Sequence, residues 1–180
     1  MSYIISKDLE FSYGHRVWSQ RLDGEFSSNL LCACRHLHGH EAKVTVSLTA
    51  PTLTDGMVTD FRHLEWLKTF INVFIDHQFI LDRHDPLYNR LVGNFALSPI
   101  TAPGCNSVAG YLLCRESIKD LPPAEREMME GFFIVDFVPT SENLSAWLAK
   151  LVQEKMAKLG VTVQSVTWWE TPKSRSEYVV

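Results

Sequence analysis

His38-Gly39-His40 opens a stretch in which side-chain character alternates as far as Ala50. His38, His40, Ala42, Val44, Val46 and Leu48 share one parity, and Gly39, Glu41, Lys43, Thr45 and Ser47 share the other. Successive side chains of a strand point to opposite faces, so both imidazoles fall on the apolar, core-facing side. Two polar rings placed there cost free energy unless their nitrogens find partners, and one divalent cation serves both. A second alternating run, Phe11 to Val17, puts His15 on the face of Phe11 and Tyr13. The two runs are neighbours in the chain, which favours antiparallel pairing and sets His15 beside the other two rings. Three histidines with an open fourth position are the ligand set of a catalytic zinc site, at metal distances of about 2.0–2.1 Å. Such a metal polarises a substrate hydroxyl or carbonyl and lowers its pKa. His-x-His alone is a weak motif, and a pair of core histidines bonded to backbone carbonyls is the plainer alternative. The third histidine on a matching face favours metal. A closed site of Cys32, Cys34, His38 and His40 is disfavoured, because structural zinc sites usually space each ligand pair by two or more residues.

Other reactive residues surround this constellation. Cys34 stands four residues before His38. Near a cation its thiol pKa would fall, making it a thiolate base or nucleophile, although a loop cysteine is more often inert. Asp76-His77 closes a helical pattern, and an aspartate orienting a histidine suits general base work. Adjacent helical residues do not face each other, so a direct contact requires the backbone to leave helical geometry there. The alternative is a histidine favourably placed at a helix C-terminus.

The elements that must hold these residues read as α+β. Asp60 is an N-cap candidate for a helix carrying Leu64, Leu67, Ile71, Phe74 and Ile75 on one side. A second helix starts at Pro139-Thr140-Ser141-Glu142. It shows Leu144, Trp147, Leu148, Leu151 and Val152 as a stripe and ends at Gly160. Val161 to Glu170 reads as a closing strand. Short helices are expected from Ser107 and after Pro122-Pro123. The order strand, strand, helix, helix, strand implies an antiparallel sheet with helices on one face. With 180 residues, 46% of them hydrophobic, the expectation is one domain over 1–180 with an insertion at about 82–137. The net charge of -4 offers no basic field for nucleic acid or an anionic membrane. No secretory signal and no membrane-length apolar run is visible, and Cys32 and Cys34 do not resemble a disulfide framework. A cytoplasmic protein is expected.

Phe11-Ser12-Tyr13-Gly14-His15, Cys34-Arg35-His36-Leu37-His38-Gly39-His40, Asp60-Phe61, Asp76-His77, Pro139-Thr140-Ser141-Glu142 and Trp169-Glu170-Thr171 occur in that order. Together they resemble the 6-pyruvoyltetrahydropterin synthase / 6-carboxytetrahydropterin synthase family. The resemblance implies the tunnelling fold, a four-stranded antiparallel sheet with two helices on one face. It also implies homo-oligomeric rings, commonly hexamers, with active sites at subunit interfaces. It assigns Zn2+ to His15, His38 and His40, and proton abstraction to Cys34. Asp76 and His77 become the second acid/base element, reaching a neighbouring subunit's site. Glu170 would accept hydrogen bonds from the pterin ring, whose guanidine-like edge suits a carboxylate. Thr140, Ser141 and Glu142 would line the same pocket.

The implied substrate is a pterin triphosphate, 7,8-dihydroneopterin triphosphate. In the carboxy branch, which serves queuosine and other deazapurine biosynthesis, carbon–carbon cleavage releases acetaldehyde and triphosphate and leaves 6-carboxytetrahydropterin. In the pyruvoyl branch triphosphate leaves and the side chain is retained. A non-catalytic pterin or purine binder is a further alternative. Cys34 matches the three-residue spacing of bacterial carboxy-type enzymes, whereas Cys32 fits the five-residue spacing of animal pyruvoyl enzymes. The carboxy type with Cys34 as base is the favoured expectation, and a role for Cys32 stays open. Residues 82–137 depart from compact members, and read either as a surface elaboration or as a lid or altered subunit contact.

Overall fold

A computed structural model describes residues 3–180. Strands β1 (Ile4–His15) and β2 (His38–Thr49) are followed by helix α1 (Glu65–Phe74), β3 (Gln78–Asp82), α2 (Tyr88–Leu91), β4 (Leu97–Thr101) and β5 (Val108–Leu113). Then come α3 (Arg115–Ile118), α4 (Pro123–Glu130), β6 (Phe132–Val135), α5 (Ser141–Met156), β7 (Thr162–Thr171) and β8 (Ser174–Val179). All strands join one sheet in the order β4-β5-β6-β3-β1-β2-β7-β8.

This corrects the expected four-stranded antiparallel sheet. An antiparallel quartet is present as β1, β2, β7 and β8. Residues 78–135 extend it into a mixed sheet of eight strands, with β3 parallel to both β1 and β6. Among the added strands, β3 and β6 escape a period-two reading because they are covered on both faces. Ile80, Phe133 and Val135 belong to one apolar cluster, whereas Leu81 and Ile134 belong to another with Val92, Leu113 and Ile118. Strands buried on both sides read as continuous apolar runs. The helix expected from Ser107 is instead β5, and the closing strand continues through a hairpin into β8. The helix after Pro122 forms as α4, with proline in its first turn, where the missing N–H is no loss.

The two long helices behave as their patterns require. Asp60 Oδ1 accepts the Arg62 N–H at 2.8 Å, capping a short 3₁₀ turn that leads into α1. Thr140 Oγ1 accepts the Asn143 N–H at 3.3 Å at the start of α5, and Gly160 closes that segment at φ 68°. Leu67, Phe70 and Ile71 of α1 and Leu144, Leu148 and Val152 of α5 pack in one core with Phe11, Val44, Val46 and Trp168 of the sheet. The helix-covered face of β1, β2 and β7 is therefore the face that carries the histidines.

Candidate metal centre and active site

Strand register brings the histidines together. Tyr13 pairs with His40, Gly14 with Gly39 and His15 with His38, so the three rings share one face at the end of the β1–β2 ladder. Gly39 carries no Cβ because one would stand 3.0 Å from the Tyr13 carbonyl oxygen. His15 Nε2 lies 3.0 Å from His38 Nε2 and 3.1 Å from His40 Nε2. Tetrahedral ligands at about 2.1 Å from zinc stand about 3.4 Å apart, close to this spacing.

The outer nitrogens decide which way the lone pairs point. His15 Nδ1 lies 2.6 Å from the Pro139 carbonyl oxygen and His38 Nδ1 lies 2.9 Å from that of His36. A carbonyl only accepts, so both Nδ1 atoms carry the proton and both Nε2 atoms are bare. Bare nitrogens converging on one point repel unless a cation stands between them. His15 is 1% exposed. Burial lowers its pKa to about 4, the two imidazoles beside it add to that effect, and the Pro139 carbonyl opposes it. Burial, then His38, also lowers His40. Neutral rings are the form that binds metal. The trio is thus positioned to hold a metal ion.

Beside the trio lie the Glu170 carboxylate and the Tyr13 ring. Glu170, on β7, brings Oε1 to 3.8 Å from His15 Nε2. Burial raises its pKa, and the Glu142 carboxylate adds to this. Glu142 and Ser141 stand in the first turn of α5 behind Thr140, and Pro139 ties that turn to His15. Cys34 sits on a 3₁₀ turn, Ala33–Arg35, held by the Val17 N–H donating to its carbonyl at 2.9 Å. Burial, then the neighbouring Cys32 thiol, pushes Cys34 up, and the charge of Glu170 acts in the same direction. A thiolate there needs a compensating positive charge.

Three contributors escaped the sequence reading. The Tyr13 ring packs edge-on to His15 with centroids 5.1 Å apart, and its hydroxyl accepts from Trp168 Nε1 at 3.2 Å. Burial and then Glu170 keep that phenol protonated. Its position two residues before His15 on the same strand face was the available signal. Nothing in residue type marks the Pro139 and His36 carbonyls.

Asp76 and His77 form the expected pair but do not join the trio. His77 Nδ1 lies 2.9 Å from Asp76 Oδ1, and the His77 side chain is 81% exposed. The required departure from helical geometry is present, since α1 ends at Phe74 and His77 takes φ 60°. Ser12 anchors this turn, donating its N–H to Asp76 Oδ1 at 2.8 Å and accepting the His77 N–H at 2.7 Å. His77 borders a cleft of about 500 Å³ that also touches His38, Gly39 and His40.

Comparison with known proteins places this geometry. A 6-carboxy-5,6,7,8-tetrahydropterin synthase of Aquifex aeolicus is 30% identical, over 99% of this chain and 98% of that protein. The crystal structure of an uncharacterized protein from Wolinella succinogenes superposes with a TM-score of 0.92 at 43% identity, covering 99% of this chain and 98% of that one. The 6-pyruvoyl tetrahydropterin synthase of Caenorhabditis elegans shares the fold at a TM-score of 0.57 and 18% identity, over 100% of this chain and 96% of its own. No helix among the described residues is long and apolar enough to cross a membrane. The model of the 6-pyruvoyl tetrahydropterin synthase family matches residues 4–179, and the chain belongs to that family.

Proposed function

We propose that the chain is a zinc-dependent lyase. In this reading it converts 7,8-dihydroneopterin triphosphate and water to 6-carboxytetrahydropterin, acetaldehyde and triphosphate. The observation that carries the proposal is the convergence of the Nε2 atoms of His15, His38 and His40 beside the Glu170 carboxylate. The Aquifex relative favours the carboxy branch.

Within this reading His15, His38 and His40 hold Zn2+. When bound, the metal supplies a Lewis acid that acidifies a hydroxyl placed beside it. Glu170 accepts the pterin ring N–H and amino hydrogens, fixing the ring by a charge-assisted pair of bonds. Partial burial and then the Glu142 carboxylate raise its pKa, and those donors would offset that cost. Thr140, Ser141 and Glu142 line the ring pocket at the helix start. Cys34 takes a proton from the substrate side chain, and His77, oriented by Asp76, returns one on the opposite side. His77 faces outward in the single chain, which suits a site completed by a neighbouring subunit in a tunnelling-fold ring, a hexamer in the family pattern. Residues 1–180 act as one domain, and a cytoplasmic place in deazapurine biosynthesis accords with the product.

Incubating zinc-loaded protein with dihydroneopterin triphosphate tests the reading. Acetaldehyde and triphosphate released in equal amounts support it. Triphosphate without acetaldehyde moves the enzyme to the pyruvoyl branch. Neither product leaves a pterin-binding protein.

A further inference from the structure

The turn that carries Cys34 is laced to the start of the long segment by a buried ion pair. Arg16, the residue after His15, sends Nε to the Arg35 carbonyl at 2.7 Å and Nη1 to both carboxylate oxygens of Asp85, 2.6 Å from Oδ2. The Asp85 side chain is 0% exposed and that of Arg16 is 13%. Asp85 is itself fixed, since Oδ1 accepts the Leu87 N–H at 2.8 Å. A parallel link runs beside it. Trp18 Nε1 donates to Asp82 Oδ2 at 2.9 Å, and Asp82 Oδ1 accepts the His84 N–H at 2.9 Å. Arg35 closes the lacing by donating Nη1 to the Gln20 carbonyl at 2.9 Å. One guanidinium thus joins the end of β1, the loop after β3 and the peptide that follows Arg35, the residue after Cys34.

We propose that Arg16 and Asp85 are positioning residues that hold the Cys34 turn over the metal centre. Their juxtaposition gives residues 82–137 a part in the site. The fork geometry is the reason arginine serves here. Its Nε and Nη1 are rigidly separated donors, one aimed at a carbonyl and one at a carboxylate, while a lysine ammonium is a single point on a flexible stem. Removing Asp85 leaves a guanidinium in a site that excludes water, so Arg16 must turn outward and release the Arg35 carbonyl. The Val17–Cys34 and Arg35–Gln20 bonds then restrain the turn without the guanidinium of Arg16. A thiol misplaced by about 1 Å from its target costs on the order of 100-fold in rate.

The proposal rests on Cys34 acting in the reaction given above, and two readouts separate the two ideas. Arg16→Lys keeps a charge for Asp85 but loses the fork. Arg16→Lys protein with wild-type metal content should show kcat reduced roughly 10- to 100-fold and KM within about threefold of wild type. Asp85→Glu, which keeps the carboxylate, should retain more turnover than Asp85→Asn. Independently of substrate, iodoacetamide should alkylate Cys34 in Arg16→Lys faster than in wild type, as read by peptide fragmentation. Unchanged kcat together with unchanged alkylation overturns the proposal, as does a loss confined to melting temperature. A wild-type enzyme that makes no pterin product overturns the reaction instead, and the alkylation rates still decide the clamp. If Asp85→Asn does not fold, Arg16→Lys and Asp85→Glu carry the test.

Discussion

At the residue scale the centre depends on which atoms are free to accept or donate. Glu170 is a partly buried carboxylate whose surroundings raise its pKa, and a bound pterin edge is the partner that would reverse the penalty. Glu170→Gln keeps the shape and removes the charge. A hydrogen bond to a charged group contributes about 1.5–3 kcal/mol, so binding should weaken by roughly 10- to 100-fold. The check is KM for dihydroneopterin triphosphate, with metal content unchanged because the trio is intact. Cys34→Ala separates the other function: product formation should fall to background while bound zinc, measured by mass spectrometry, stays at the wild-type level. Retained turnover in Cys34→Ala combined with an inactive Cys32→Ala would transfer the role to Cys32. The histidine trio was legible in the sequence, because parity along a strand is a one-dimensional fact. Tyr13 was legible only as core. The Pro139 and His36 carbonyls were invisible, since a backbone acceptor has no residue type.

At the element scale the site is the product of register. His15 meets His38 because β1 and β2 pair from Ile4–Thr49 to His15–His38 without a break. Both 12-residue strands alternate, and their pairing follows from adjacency in sequence. Gly14 is the narrow point of this arrangement. A Cβ there would stand 2.5 Å from Phe79 Cδ2 and 3.3 Å from the His38 carbonyl oxygen. The Phe79 ring is itself packed edge-on to Phe132, with centroids 5.8 Å apart, so it has little freedom to retreat. Gly14→Ala should therefore push β3 from β1 and disturb the pairing beside His15. Overpacking of this kind costs about 1–3 kcal/mol. Thermal melts should show the loss, and zinc affinity should fall with it; a variant that melts like wild type and binds zinc equally would contradict the argument. The strands that the sequence hid were β4 and β8, which are short and partly exposed, and β3, β5 and β6. The short apolar runs of the last three serve two cores at once and so lack the alternation that announced β1 and β2.

At the scale of the whole molecule the histidine trio is a junction. Its rings come from two strands, and the outer nitrogens of His38 and His15 lean on His36 before β2 and on Pro139 before α5. A cation held there connects segments separated by 124 residues in the chain, the distance from His15 to Pro139. Such a junction is absent from the unfolded chain, so binding energy becomes folding energy. With free zinc at about 100 times its dissociation constant, the folded state gains about 2.7 kcal/mol. For a domain of this size each kcal/mol moves the melting temperature by about 2–4 °C, so chelation should lower it by about 5–11 °C. Calorimetry at one fixed protein concentration, with and without dipicolinate, measures the shift and keeps subunit association constant. His40→Ala removes one ligand and should abolish most of the difference between the two scans. An equal melting point with and without chelator in the wild-type protein would mean that the three rings are held by the ladder alone. The convergence of bare nitrogens would then have to be explained without a metal.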